Sequence, residues 1–181
     1  MDDLELATSR LRLRRFDDGD LPLLTELFAD HSVRRYLAVG RMDRVAALDF
    51  AAEFIRRSEG ELSEAGCGAL ALTRKADGRP IGYCGLRPLP DRIRAVELLY
   101  AVAPDCWGNG YASEAARAVV DWGFAVLLID EIHGFTRPEH GASRRIMEKL
   151  GMRYRGDTDR YYGETLAFYA LGRCANGSNP A

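Results

Sequence analysis

The sequence predicts an α/β domain built on one mixed β-sheet with helices on both sides. Two observations predict the class. Apolar residues recur with a period of two in some stretches and near 3.6 in others, and the two kinds alternate along the chain. The most apolar strand pattern, RAVELLYAV at residues 94–102, leads through a short glycine-rich turn into a helical pattern, the strand–turn–helix order of α/β folds. A third observation sets the domain count: no linker or internal repeat interrupts 181 residues, so residues 1–173 read as one domain. The tail at residues 174–181, CANGSNPA, has no periodicity and is expected to fray.

The elements follow in order. Residues 8–16 (TSRLRLRRF) alternate, with Leu11 and Leu13 on one face and Arg12 and Arg14 on the other, which predicts a first strand. The run at residues 17–20 breaks it and offers Asp20 as an N-cap, with Pro22 in the first helical turn. Leu23, Leu24, Leu27 and Phe28 then recur at helical spacing. A second helix is predicted over residues 44–58, with Ala47, Leu48, Ala51, Phe54 and Ile55 as its apolar stripe. Residues 67–73 and 80–86 predict two strands joined by the Ala76-Asp77-Gly78 turn. Residues 94–102 form the strongest strand. A helix follows over residues 112–127, with Ala112, Ala115, Ala116, Val119 and Leu127 facing inward. Residues 131–137 read as a strand, and residues 141–150 as a short helix stopped by Gly151. Strands near residues 152–155 and 165–171 close the domain.

Composition narrows the function. Apolar residues are 47% and charged residues 29%, ordinary for a soluble globular protein. A formal charge of −2 argues against a general nucleic-acid or anionic-membrane binder. Cys67, Cys84, Cys106 and Cys174 show no CxxC spacing, so neither a zinc knuckle nor a redox motif is indicated. His133 and His140 are not at the helical spacing of a metal pair, and His31 reads as a surface or cap residue. No metal is expected. The acidic start lacks a signal-peptide pattern, and the longest apolar run, residues 124–129, is too short to span a bilayer. The chain therefore reads as cytoplasmic, with reduced thiols.

The segment from Glu97 to Phe124 carries the chemistry. Its strand runs into Gly108-Asn109-Gly110, where glycines permit unusual φ/ψ values and close approach of a ligand to the backbone. The helix that follows starts with unpaired N–H groups and a partial positive charge, suited to a phosphate or pyrophosphate. The spacing fits neither a Walker loop nor GxGxxG. An anion site and an ordinary tight turn both remain open on these residues alone.

The stretch ELLYAVAPDCWGNGYASEAARAVVDWGF resembles the cofactor motif of the GNAT acetyltransferase superfamily. More narrowly, it is similar to the branch containing the RimJ/RimL ribosomal-protein N-terminal acetyltransferases. The opening TSRLRLRRFDDGDLPLLTELFADHSVRRYL and the later RPEHGASRRIMEKLGMRYRG are similar to other blocks of that branch, in order, over residues 8–171. The resemblance implies a central, largely antiparallel sheet splayed at the cofactor site. It implies acetyl-CoA as co-substrate, its pantetheine arm on the main chain of Tyr100, Ala101 and Val102. The pyrophosphate would lie on the N–H groups of Gly108, Asn109, Gly110, Tyr111, Ala112 and Ser113. Trp107 replaces the usual first residue of the pyrophosphate motif, as is common in this branch.

Two departures bear on mechanism. His140 stands where an Asn is usual, with its imidazole still able to bond the pantetheine arm. Met147 stands where other members have an acidic tyrosine and cannot donate a proton. By position in the strand motif, Glu97 is the expected general base, an ionisable residue in an otherwise apolar strand; the alternative is a solvent-facing carboxylate or a partner of Arg94. A backbone N–H near Val102 would face the oxyanion. Ser143, fitting the family's serine before EKLG, is the nearest hydroxyl for the leaving thiolate; the alternative is a first-turn helix hydroxyl. Tyr154 and Tyr161 are further hydroxyls with no spacing argument.

The implied reaction is transfer of an acetyl group to a primary amine, either a protein N-terminus or a small molecule such as a polyamine, amino acid or antibiotic. The acceptor-binding elements would be the first two helices and the loops at residues 38–43 and 157–164. Glu97, Asp157, Asp159 and Glu164 together would make an acidic cleft for a cationic acceptor. Met147 and His140 keep open a contrasting reading, a non-catalytic acyl-CoA-binding module. A sheet-edge homodimer is common in the superfamily, and nothing in the sequence specifies one.

Overall fold

The computed structural model describes residues 4–37 and 42–173. Among the described residues eight strands form one sheet, and five helices cover its two faces. The strands are β1 (Glu5–Ala7), β2 (Leu11–Arg14), β3 (Ala69–Arg74), β4 (Pro80–Leu89), β5 (Arg92–Val102), β6 (Glu131–Thr136), β7 (Arg153–Thr158) and β8 (Leu166–Gly172). The helices are α1 (Leu21–Ala29), α2 (His31–Arg34), α3 (Arg44–Ala65), α4 (Tyr111–Val126) and α5 (Gly141–Lys149). Strand order is β1-β2-β3-β4-β5-β6-β8-β7, and only the β5–β6 pair is parallel. The expected mixed, largely antiparallel sheet is therefore observed.

Period-two alternation sorts the core into two layers. Leu70, Leu72, Cys84, Leu86 and Leu98 face α4 and its buried Ala115, Ala116 and Val119. On the other face Ala69 and Tyr83, with Leu99 and Ala101, meet Leu24, Leu27 and Phe28 of α1 and Ala47, Ala51 and Phe54 of α3. Burial of side chains such as Leu24, Leu27 and Phe28 stabilises by about 1.5–3 kcal/mol each, which holds α1 and α3 on the sheet.

Several expectations change. The first strand is shorter than residues 8–16, and an edge strand, β1, precedes it; three residues are too few to show a period. Asp20 does not cap α1 with its side chain. A 3₁₀ turn at Asp18–Asp20, capped by Asp17, comes first, and buried Asp20 instead accepts from Arg14 Nη1 at 2.7 Å and Nη2 at 3.0 Å. Helix α3 continues seven residues past Ser58 to Ala65, carried by buried Leu62 through a polar stretch. Its stripe is Ala47, Ala51, Phe54, Ser58 and Leu62, which leaves Leu48 43% exposed on the neighbouring face. Residues 38–41 of the expected acceptor loop and the tail at residues 174–181 lie outside the described residues. No helix among the described residues is long and apolar enough to cross a membrane.

Candidate active site

The sheet opens in its middle. Strand β5 pairs with β4 from Leu89↔Arg92 to Gly82↔Val102, but with β6 only from Ala95↔Glu131 to Glu97↔His133. Beyond Glu97 the two parallel strands part. In an antiparallel pair, alternate residues bond to the same neighbour. Ala103 N–H donates to Ile81 O at 2.8 Å, so Ala101 and Leu99 bond toward β4, while Leu98, Tyr100 and Val102 direct their main chain into the opening. This corrects the expectation for Ala101, whose amide and carbonyl belong to the Tyr83 pairing. The carbonyl of Val102 accepts Trp107 Nε1 at 2.6 Å, which leaves its N–H facing the gap.

The opening leads to the glycine turn. Gly108 and Gly110 have φ of +77° and +79°, left-handed conformations that a side chain disfavours. Gly110 is the N-cap of α4 and lends no side chain to it; the first helical bond is Glu114 N–H to Gly110 O at 3.0 Å. The N–H groups of Tyr111, Ala112 and Ser113 thus have no acceptor within the helix, and the dipole adds positive potential there. Asn109, expected to offer its main-chain N–H, also holds the turn with its side chain. Its Nδ2 folds back onto the carbonyls of Cys106 (3.1 Å) and Trp107 (3.0 Å), bracing the turn from outside the cavity wall.

Two residues at this turn escaped the sequence reading. Arg10 Nη1 donates to Asn109 O at 3.0 Å, and its guanidinium lies over the Tyr111 ring and pairs with Glu114. Glu114 also accepts from Ser9 Oγ, Thr8 Oγ1 and Arg10 N–H. Burial pushes the Glu114 carboxyl up, and these bonds outweigh it and hold it below the ordinary range. The link ties the β1–β2 turn to the first turn of α4, and no local pattern in the sequence announces a bond between residues 10 and 114.

One cavity of about 740 Å³ crosses the opening in the sheet. Its walls include Glu97, Tyr100, Ala101, Val102, Gly108, Gly110, Tyr111, Ala112, Ser113, His140 and Ser143, so all the predicted site residues except Asn109 meet there. Glu97 is 7% exposed and points to the α1/α3 face, away from solvent and from Arg94, which pairs with Asp130 instead. Its Oε2 accepts from Tyr162 Oη, and Arg87 is its cross-strand neighbour. Burial pushes the Glu97 carboxyl above the usual range, against the pull of the Tyr162 bond and of the Arg87 and Arg57 charges. A base tuned upward is better matched to neutral pH.

On the opposite face Ser143 Oγ lies 2.9 Å from Tyr100 Oη, with Ser143 buried and Tyr100 half-buried in the cavity wall. Burial pushes the Tyr100 hydroxyl up, with the Ser143 bond pulling the other way, so it stays protonated at neutral pH. Tyr100 was expected to offer only main chain; it offers a hydroxyl as well. Met147 is buried in the core beside Gly134. His140 stacks on Tyr36 with ring centroids 3.7 Å apart, and its Nδ1 lies 3.2 Å from Thr136 Oγ1. Burial, with Arg35 nearby, lowers the imidazole to about 4.

The expected acidic cleft is not assembled. Among the described residues lining the cavity Glu97 is the one acid; Glu164 pairs with Arg137 at 2.8 Å, Asp157 accepts from Tyr154 Oη at 2.7 Å, and neither they nor Asp159 reach the wall. Tyr161 donates to Asp91 at 3.1 Å, so its neighbour Tyr162 is the tyrosine that reaches the site. Among the described residues no group of three or more His, Cys, Asp or Glu side chains is arranged to hold a metal ion.

Known proteins are similar to this chain to different depths. YkkB of Bacillus subtilis, an uncharacterized protein, is 34% identical over 167 residues, 91% of this chain and 94% of the relative. Spermidine N(1)-acetyltransferase of Escherichia coli K12 is 28% identical over 83 residues, 46% of this chain and 45% of the relative. RimL, a ribosomal L7/L12 alpha-N-protein acetyltransferase solved with coenzyme A, superposes with a TM-score of 0.77 at 13% identity, over 93% of this chain and 98% of its own. The acetyltransferase (GNAT) domain matches residues 10–153, a span that holds the open strand pair, the glycine turn, Glu97 and Ser143. The chain belongs to the GNAT acetyltransferase family and is an N-acetyltransferase whose donor is acetyl-CoA.

Proposed function

We propose that the enzyme acetylates a primary amine that enters from the α1/α3 face, with Glu97 as general base and the Tyr100–Ser143 pair protonating the leaving sulfur. The observation that carries this is one cavity in which a buried carboxylate and a hydrogen-bonded hydroxyl pair, Ser143 buried and Tyr100 half-buried, lie on opposite sides of an open strand edge. That edge suits the pantetheine arm, which carries amides able to add to Tyr100 and Val102 as an extra strand would. The N–H groups at Gly108, Gly110 and Tyr111–Ser113 suit its pyrophosphate, and Arg145 and Lys149 in the cavity wall add positive charge. His140 Nε2 remains free of the Thr136 contact and can reach the arm.

An amine arrives protonated and must lose a proton before attack. Glu97 takes it, and Tyr162 holds the carboxylate oriented while it does so. As nitrogen bonds to the carbonyl carbon, charge on the oxygen meets the Val102 N–H. The carbon–sulfur bond then breaks with its electron pair going to sulfur. Sulfur takes a proton from Ser143, Ser143 from Tyr100, and the second amine proton restores the pair. The proton that Met147 cannot give comes instead through Ser143 of α5, backed by Tyr100 of β5. The intact base and hydroxyl pair favour turnover over a non-catalytic binding module.

A thermal-unfolding titration with acetyl-CoA tests the donor site, with ATP and NAD as controls. At about 100 times its dissociation constant acetyl-CoA should stabilise by about 2.7 kcal/mol, a rise of about 5–10 °C for a domain this size. Glu97→Gln should keep that rise while lowering kcat with any accepted amine by about 10²–10³-fold. Absence of the rise at saturation removes the donor site, and equal losses in binding and turnover for Glu97→Gln remove the base.

A further inference from the structure

The half of the cavity around Glu97 has a chemistry of its own. Its walls are rings: Phe28 from α1, Phe50 and Phe54 from α3, Tyr83 from β4, Phe135 from β6 and Tyr162. They form a continuous surface, with ring centroids 4.8 Å apart for Phe28–Phe50, 5.4 Å for Phe28–Phe54 and 4.6 Å for Phe54–Tyr83. Phe135 and Tyr162 flank the other side at 6.3 Å. Charge is scarce there. Arg87 stands beside Glu97 and is held by Glu61 as well, so the one carboxylate in the wall already faces a cation.

This composition discriminates among amines. A polyamine would bring further ammonium groups into a chamber with no second carboxylate among the described residues and with Arg87 already present, and an unpaired buried charge is costly. A peptide N-terminus would bring backbone N–H and C=O groups, each needing a partner. Of the two hydroxyls among these rings that of Tyr162 is spent on Glu97, which leaves one, on Tyr83, for a chain of several amides. A single amine attached through a short spacer to an aromatic body needs one carboxylate and apolar walls, and it finds both. Offset and edge-on ring contacts would add to simple burial.

We infer that the acceptor is a primary monoamine bearing one aromatic group on a short aliphatic spacer, an arylalkylamine, seated with its ring among Phe28, Phe50, Phe54 and Tyr83 and its nitrogen at Glu97. The inference rests on the acetyltransferase reading above and goes beyond it in naming the substrate class.

The test offers the purified enzyme acetyl-CoA with 2-phenylethylamine, spermidine or an alanine-starting tetrapeptide, reading coenzyme A release by its free thiol. The expected kcat/KM for 2-phenylethylamine exceeds both others by at least about tenfold, the discrimination that burying one ring against a solvated chain supplies. Phe50 is partly exposed, and Phe50→Leu keeps apolar contact with Phe28 while removing the ring; it should lower kcat/KM for 2-phenylethylamine about threefold to tenfold, with the acetyl-CoA thermal rise unchanged. Spermidine or the peptide used as well as or better than 2-phenylethylamine overturns the inference, as does no turnover of 2-phenylethylamine, when acetyl-CoA still raises the midpoint. Loss of that rise itself would instead bring down the acetyltransferase reading on which it stands.

Discussion

On one side of β5 the cavity wall is main chain, and on the other it is side chain. The proposed donor half consists of the edge that β6 leaves open at Tyr100 and Val102 and the N–H groups from Gly108 to Ser113, all within one continuous stretch. The acceptor half consists of a carboxylate, a guanidinium and rings from α1, α3, β4, β5, β6 and residue 162, brought together by the whole fold. The difference is one of what each must recognise. A pantetheine pyrophosphate is constant, and backbone groups that do not depend on side-chain identity serve it. An acceptor is particular, and recognition of it falls to side chains that can change while the fold persists.

The contrast predicts that substitutions in the two halves will separate kinetically, and after the loss expected for Glu97→Gln the largest effect should come from the hydroxyl pair. Tyr100→Phe removes the proton source while keeping the ring and the strand edge, and should lower kcat about 10²-fold, with KM for acetyl-CoA within about twofold. Ser143→Ala should cost a similar factor, and the double variant little more, because the two hydroxyls are expected to act as one relay. Multiplicative losses in steady-state assays of the four proteins would break the relay into two independent contacts.

A smaller and opposite signature belongs to the glycine turn. Gly110→Ala places a side chain at φ +79°, where strain is about 1–2 kcal/mol, and there is room for the methyl group, with Arg10 Nη2 its nearest neighbour at 3.6 Å. The loop will relax away from the conformation that aims its N–H groups, so KM for acetyl-CoA should rise about tenfold, with kcat at saturation within about twofold. If kcat falls instead while KM holds, the donor half does more than bind, and the division of labour drawn above fails.

The same division explains what the sequence made legible. Gly108 and Gly110, the apolar run of β5 and the stripe of α4 are local signals. They place the open strand edge, the glycine turn and the start of α4, and with them Glu97, on one cavity. Ala101 was misassigned because the direction of a main-chain amide depends on the register with β4, which a single strand does not reveal. The side chain of Asn109 carried no expectation, and it bonds carbonyls of its own turn, a contact that only the folded turn reveals. In the acceptor half, Phe28, Phe54 and Tyr83 read only as core, and they are core; that their rings also wall a cavity depends on how α1 and α3 sit on the sheet. Tyr162 lies in a turn without periodicity, next to Tyr161, and only the approach of the β7–β8 connection to β5 selects it. The three acids beyond Glu97 were grouped by charge alone, and each is turned elsewhere or lies off the wall.

His140 stands where the two halves meet, and it should show the smallest effect on catalysis and the most distinctive one on stability. Its backbone starts α5, while its ring is clamped between Tyr36 and Thr136. The folded protein holds the imidazole at about 4, against 6.5 for a free one, because burial and the nearby Arg35 disfavour its charged form. A base with a lowered folded pKa contributes stability that is complete above the unfolded value and is lost as pH falls through the folded one. The window is therefore about pH 6.5 down to about pH 4. His140→Gln gives up the stack on Tyr36, worth about 0.5–1.5 kcal/mol, and should melt about 2–5 °C below the parent at pH 7.5. It has no proton to exclude, so the gap should close as the pH is lowered across that window, while kcat at pH 7.5 stays within about threefold. Melting curves of the two proteins at half-unit pH steps decide it. A gap that stays constant down to pH 4 would mean the ring protonates freely in place, and the clamp would then be loose enough for the imidazole to serve as a donor to the pantetheine arm in either charge state.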